Sequence, residues 1–162
     1  MQKIRKVKIE DAGAILDIYN YYILHSITTF DEKEKTIEEI KSKIIDTTKL
    51  YPWFILEDNG ELIAFAYASM WKDKSAYAKS VEGTIYIKNK HEGKGIGTTL
   101  YNYLIDFLKS NNYHSIIGVI ILPNDSSIAL HEKLNFEEVA HFKEIGKKFD
   151  KHIDVGCWQL IL

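Results

Sequence analysis

The sequence predicts a mixed α/β fold of the α+β kind, one domain over residues 1–162 built on a single sheet. Three observations predict it. An Asn59-Gly60 step between apolar, strand-like segments marks a hairpin, so the early strands run antiparallel. A strand, a helical stretch and a short apolar run follow one another between Val81 and Leu122, which makes a βαβ unit with parallel strands and a right-handed crossover. Two further strand-like segments close the chain with no helix between them. The resulting order is β-α-α-β-β-β-α-β-α-β-β, with helices on both faces of the sheet.

Each element has its own signal. IRKVKI (Ile4 to Ile9) alternates and reads as the first strand. Asp11 is an N-cap for a helix carrying Ile15, Ile18, Tyr19, Tyr22 and Ile23 on one side. Thr36 to Thr47 repeats that period with Ile37, Ile40, Ile44 and Ile45. Pro52 marks the entry to WFILED, and the Asn-Gly turn joins it to ELIAFAYASMW. The polar stretch KDKSAYAKS leads into VEGTIYIKN, and a glycine-rich loop then opens a helix. SIIGVIIL (Ser115 to Leu122) reads as a strand buried on both faces and stopped by Pro123. Asn124 or Asp125 caps a helix with Ile128, Leu130 and Leu134 as its apolar side, and EVAHFKEIGKKF and DVGCWQLIL finish the sheet.

Composition narrows the function. A chain of 162 residues buries roughly 70% of the surface it exposes unfolded, enough for a core without staples. The net charge of −2 argues against a nucleic-acid footprint and gives no hint of an anionic membrane partner. Cys157 is the single cysteine, so no internal disulfide forms, and it reads as a small core residue. The N-terminus has no apolar run after its basic residues, and no stretch reaches the ~20 apolar residues of a membrane span; a cytoplasmic location is expected. The six histidines include no pair at metal-ligand spacing, so no metal is expected.

The loop HEGKGIGTT carries glycines at 93, 95 and 97. It fits neither the P-loop nor the dinucleotide fingerprint: no Lys-Ser or Lys-Thr follows the second glycine, and Thr98 or Leu100 stands where the final glycine would be. What remains is G-x-G-x-G-T after a strand and before a helix. This is either a tight turn or an anion cradle of inward-turned N–H groups at a helix start.

HEGKGIG resembles the Q/R-x-x-G-x-G/A pyrophosphate loop of the GNAT superfamily of N-acetyltransferases. YPWFILEDNGELIAFAYASMWK, VEGTIYI, LPNDSSIALHEKLNF and DVGCWQL extend the resemblance over nearly the whole chain, to the phosphinothricin and methionine sulfone/sulfoximine branch. It implies a largely antiparallel sheet of six or seven strands flanked by about four helices, with splayed parallel central strands. It also implies acetyl-CoA as cosubstrate. The pyrophosphate would rest on Gly93, Lys94, Gly95, Ile96, Gly97 and Thr98, and the pantetheine arm on the main chain of Ile85, Tyr86 and Ile87. Glu92 departs from the Gln or Arg at the first motif position. Asn124 would hydrogen-bond the pantetheine arm, serve as a helix cap, or do both. His131 stands where much of the superfamily has a tyrosine that protonates the departing thiolate; it is either that acid or a packing residue beside the cofactor.

Acetyl transfer to an amine requires a neutral nitrogen, so a base is needed. A period of two puts Glu82, Thr84 and Tyr86 on one face of VEGTIYI and Gly83 on the other. The resemblance makes Glu82 the general base and sets Gly83 and Thr84 beside the acceptor. Lys72, Asp73 and Lys74 follow Trp71 where the related proteins hold substrate, so Lys72 or Lys74 would pair with an acceptor carboxylate; Tyr77 and Phe30 would line the pocket. The expected reaction is acetylation of the α-amine of a small amino-acid-like acceptor such as phosphinothricin or methionine sulfoximine, by a homodimer. The alternatives are another amine (a protein N-terminus, a polyamine, an aminoglycoside) or a non-catalytic acyl-CoA sensor lacking a working base.

Overall fold

A computed structural model describes residues 1–162. Its sheet has seven strands in the order β1-β2-β3-β4-β5-β7-β6: β1 (Gln2–Lys6), β2 (Trp53–Asp58), β3 (Glu61–Met70), β4 (Ser80–Ile87), β5 (Ser115–Ile121), β6 (Glu137–Lys148) and β7 (Lys151–Ile161). The helices are α1 (Ala12–His25), α2 (Ile37–Thr48), α3 (Ile96–Ser110) and α4 (Asp125–Lys133). All neighbouring strands are antiparallel except β4 and β5. The mixed, largely antiparallel sheet with four helices is the architecture that the sequence predicts. No helix is long and apolar enough to cross a membrane.

Most boundaries follow local chemistry. Asn59 and Gly60 have φ of 51° and 85°, the two positive values that a two-residue turn between twisted strands requires. Thr36 caps α2, accepting from the Glu39 N–H while the Glu39 carboxylate takes the Thr36 N–H at 2.7 Å. The first strand departs from the alternation seen over Ile4–Ile9. It runs from Gln2 to Lys6, and Ile9–Asp11 turn as a 3-10 segment. Lys6 pairs with Phe54, so a longer strand would soon face Pro52, which has no N–H to give. Asp11 does not cap α1 with its side chain. Its carboxylate accepts from the Lys8 N–H (2.7 Å) and from both terminal nitrogens of Arg5 (2.7 and 2.8 Å), fixing the turn.

Two apolar layers sandwich the sheet. On one face α3 buries Leu100, Tyr101, Leu104 and Leu108 against Phe54, Ala66, Val81 and Ile116. On the other, α1 and α2 bury Ile15, Ile18, Ile40 and Ile44 against Trp53, Phe65, Tyr67 and Tyr86. Ile37 and Ile45 lie outside the buried stripe of α2 and are exposed. β5 is likewise not buried throughout: Val119 is exposed, because its face of β5 borders a cavity rather than a helix.

Candidate active site

The sheet opens along its only parallel seam. β4 and β5 pair over Ser80–Ser115, Val81–Ile116 and Glu82–Ile117, and no pair follows. β3 stays with β4 to the end, and the Lys88 N–H donates to the Ile63 carbonyl at 2.7 Å. Because an antiparallel ladder alternates, the main chains of Glu82, Thr84 and Tyr86 turn toward β3 and those of Gly83, Ile85 and Ile87 toward the seam. The Tyr22 hydroxyl, from α1, donates to the Ile87 carbonyl at 2.6 Å, so that acceptor is already engaged. Tyr86 main-chain groups are directed at Phe65.

Beyond the seam lie two connecting cavities. The smaller, about 400 Å³, runs from Ile85 and Ile87 past Gly93, Gly95 and Thr98 to α4. Gly93 and Gly95 have φ of 74° and 79°, a conformation open to glycine and strained for other residues. Gly95 is the N-cap of α3, which therefore starts at Ile96, inside the glycine motif. The first intrahelical bond from this end is Thr99 N–H to Gly95 carbonyl at 3.0 Å, so the N–H groups of Ile96, Gly97 and Thr98 remain without helical partners. A methyl on Gly97 would crowd Ile87 at 3.1 Å and Leu130 at 3.2 Å, so this glycine lets α3 seat closely. Ile96 points into the core and Lys94 is exposed; neither side chain lines the cavity. Three turned-in amides, a helix N-terminus and Lys133 across the gap suit a diphosphate. Lys133, Thr28 and Tyr22 also border this cavity, and no motif marked them in the sequence.

The larger cavity, about 1000 Å³, lies over the seam on the α1–α2 face. Thr28, Ile85, Tyr86, Asn124 and Ser127 border both cavities, so the two communicate. Glu82, Gly83, Thr84, Lys72, Tyr77 and Phe30 all line the larger one, while Asp73 and Lys74 stand outside it. No protein group hydrogen-bonds the Glu82 carboxylate. Burial pushes Glu82 above the usual carboxylate range, and the charges of Lys43 and then Lys72 pull it back. Lys72 sits with Nζ 5.0 Å from the Trp71 ring centroid. Lys43, which no motif marks in the sequence, stands 5.0 Å over Tyr67 and 5.5 Å over Tyr19. Only the fold brings α2 to Glu82.

Asn124 is the N-cap of α4, accepting from the Ser127 N–H at 3.1 Å, and its side chain also borders both cavities. His131 is 3% exposed. Its Nδ1 meets the Ser127 carbonyl at 2.7 Å, which requires a proton on that nitrogen. Its Nε2 has no partner and faces Gly118, where a methyl would lie 2.3 Å away. Burial lowers the His131 pKa, and the Ser127 carbonyl offsets part of this. The resulting ring is neutral, with a bare Nε2. Beside it at 5.2 Å between ring centroids lies Tyr101, fully buried with an unpartnered hydroxyl that reaches toward Gly83. No group of three or more His, Cys, Asp or Glu side chains is arranged to hold a metal.

Known proteins share this fold. Residues 4–156 match the sequence profile of the Acetyltransferase (GNAT) domain. The phosphinothricin N-acetyltransferase of Streptomyces viridochromogenes is 35% identical over 157 residues, covering 97% of this chain and 86% of that protein. The L-methionine sulfoximine/L-methionine sulfone acetyltransferase of Salmonella typhimurium is 29% identical over 161 residues, covering 98% and 94%. A phosphinothricin acetyltransferase from Sinorhizobium meliloti, solved in complex with acetyl-CoA, superposes with a TM-score of 0.96 at 31% identity, over 99% of this chain and 88% of that one. A seam parted beside a glycine-capped helix, matched over the full domain, leads to one conclusion: the chain belongs to the GNAT family of acetyltransferases and is an N-acetyltransferase that uses acetyl-CoA as cosubstrate.

Proposed function

We propose that the protein transfers acetyl from acetyl-CoA to the α-amine of a small amino-acid-like acceptor, of the phosphinothricin or methionine sulfoximine kind. The observation that carries this reading is Glu82: an unpartnered, part-buried carboxylate at the last paired position of the seam, in a cavity that also holds Lys72. An α-ammonium has a pKa of about 8 and must lose a proton to attack. Glu82 accepts it, directly or through a water, and its raised pKa makes it a better base. The freed nitrogen attacks the thioester carbonyl, the main chain of β4 orients the thioester, and collapse of the adduct breaks the C–S bond. The products are the amide and CoA, whose thiolate takes a proton.

His131 supplies that proton only after Nε2 is itself protonated, which its burial opposes. Its place in the reading is to pack the seam beside Tyr101, with solvent as the source of the proton. Lys72 and Lys43 favour an acidic acceptor over a polyamine or aminoglycoside, since neither engages a protein carboxylate in an ion pair. A free base argues against a sensor without catalysis.

The test is thiol release from acetyl-CoA over a panel of amines, with Glu82→Gln in parallel. Phosphinothricin or methionine sulfoximine should release thiol faster than spermidine or a peptide N-terminus. Glu82→Gln should lower turnover at neutral pH by roughly 10²-fold or more with acetyl-CoA binding unchanged. Preference for a polyamine, or an undiminished Glu82→Gln rate, would overturn the acceptor class or the base respectively.

A further inference from the structure

Lys148 is the one lysine buried to 2% exposure, and nothing in the acetyl-transfer chemistry uses it. It lies at the tip of the β6–β7 hairpin. Its Nζ donates to the Ser26 carbonyl and to the Thr29 carbonyl, both at 2.8 Å, across more than a hundred residues of chain. No carboxylate comes within ion-pair distance; Asp31 and Glu32 act on it only at longer range, and the Phe149 ring lies 5.0 Å away. An ammonium without a counter-ion is costly to bury, and an apolar side chain of the same length would fill the space without that cost. The charge is therefore spent on the two carbonyls.

Those carbonyls belong to the segment between α1 and α2. Thr28, Thr29 and Phe30 of that segment form one wall of the larger cavity, and Val139, Phe142, Ile145 and Gly146 of the hairpin form another. A second contact joins the same two walls. The Phe30 ring rests on Gly146, where a methyl would lie 2.2 Å from it. The hairpin is shaped to receive the ring: the β6–β7 register breaks between Phe142 and Gly146, and Asp154 holds the bulge through the Glu144 N–H at 2.8 Å.

We propose that Lys148 is a positioning residue for acceptor binding: it clamps the Ser26–Phe30 segment to the hairpin and so fixes the distance between the two walls of the acceptor cavity. This rests on the reading that the larger cavity takes the acceptor. Of this segment only Thr28 borders the smaller cavity, whereas Thr28, Thr29 and Phe30 all line the larger one, so the acceptor should feel the clamp more than acetyl-CoA does.

The test is Lys148→Met, which keeps length and removes the donors, with Lys148→Gln as a second variant that keeps an N–H and loses the charge. In a folded variant the acceptor KM should rise about tenfold, with the dissociation constant of acetyl-CoA within about twofold of wild type. Amide exchange should accelerate in residues 26–31 and stay unchanged in α3. An unaltered acceptor KM, an equal weakening of both ligands, or failure of both variants to fold would each overturn the positioning role. A wild-type enzyme that releases no thiol with any amine refutes the acceptor reading instead; in that case accelerated exchange in residues 26–31 still supports the clamp, and its absence removes it.

Discussion

Gly83 offers a sharp test of how tightly β4 must seat against α3. An alanine methyl there would stand 2.4 Å from the Tyr101 hydroxyl oxygen, 2.6 Å from Ile116 Cδ1 and 3.0 Å from Ile116 Cγ1. Ordinary contacts between heavy atoms lie near 3.5 Å, so roughly 1 Å must open between the strand and its neighbours. Tyr101 cannot yield by a side-chain swing. It is fully buried, stacked on Phe136 at 5.7 Å and set against His131. Overpacking of this kind costs about 1–3 kcal/mol. For a chain of this length that lowers the Tm by about 2–12 °C. The strand would move at the residue next to Glu82, and a shift of ~1 Å between reacting groups costs on the order of 10²-fold in rate. Thermal unfolding and thiol release read the two effects. Gly13→Ala is the control, since a methyl there meets nothing within 4 Å. A Gly83→Ala enzyme with wild-type Tm and wild-type kcat/KM would refute the account of the seam.

The remaining expectations concern charge. Glu82 must be deprotonated to act as base, and burial raises its pKa, so kcat/KM should fall on the acid side above the ordinary glutamate range. Lys43 opposes that shift; Lys43→Met should move the acid limb of the pH–rate profile to higher pH, and a limb that stays put or moves down would contradict the assignment. Glu92 borders the smaller cavity, with Oε1 3.1 Å from the Tyr22 hydroxyl oxygen. Glu92→Gln keeps the side chain's length and polarity beside Tyr22 and removes a like charge worth ~1 kcal/mol in water beside a bound diphosphate, so acetyl-CoA should bind about fivefold tighter at low salt, with less gain at high salt. Calorimetry at two ionic strengths checks this, and weaker binding by Glu92→Gln would show the carboxylate to be a needed tether.

Local chemistry carried most of the fold into the sequence. The Asn59-Gly60 turn, the Thr36 start of α2 and the strand–helix–strand order around the glycine loop are all short-range signals. Where reading and structure diverge, a distant partner decides. β1 stops at Lys6 because of what stands opposite in β2, and Val119 is exposed because its side of β5 faces a cavity rather than a helix. The site divides the same way. Glu82 was legible as an ionisable group on an otherwise core-like strand. Lys43, Lys133, Tyr22 and Lys148 were not: Lys133 and Tyr22 border the smaller cavity, Lys43 acts on Glu82 by its charge and Lys148 ties down the Ser26–Phe30 segment, each from an element whose own sequence reads as an ordinary amphipathic helix or polar hairpin.

The alternation along β4 has a consequence for how such an enzyme changes. On this strand the side chains of Glu82 and Thr84 face the larger cavity, while the main chain of Gly83 and Ile85 faces the opened seam. Under the proposed function, one strand thus addresses two ligands through chemically separate channels. A substitution at residue 82 or 84 would rewrite what the acceptor meets and leave the peptide groups on the donor side where they were. New acceptors can therefore be acquired one side chain at a time, without relearning the cosubstrate.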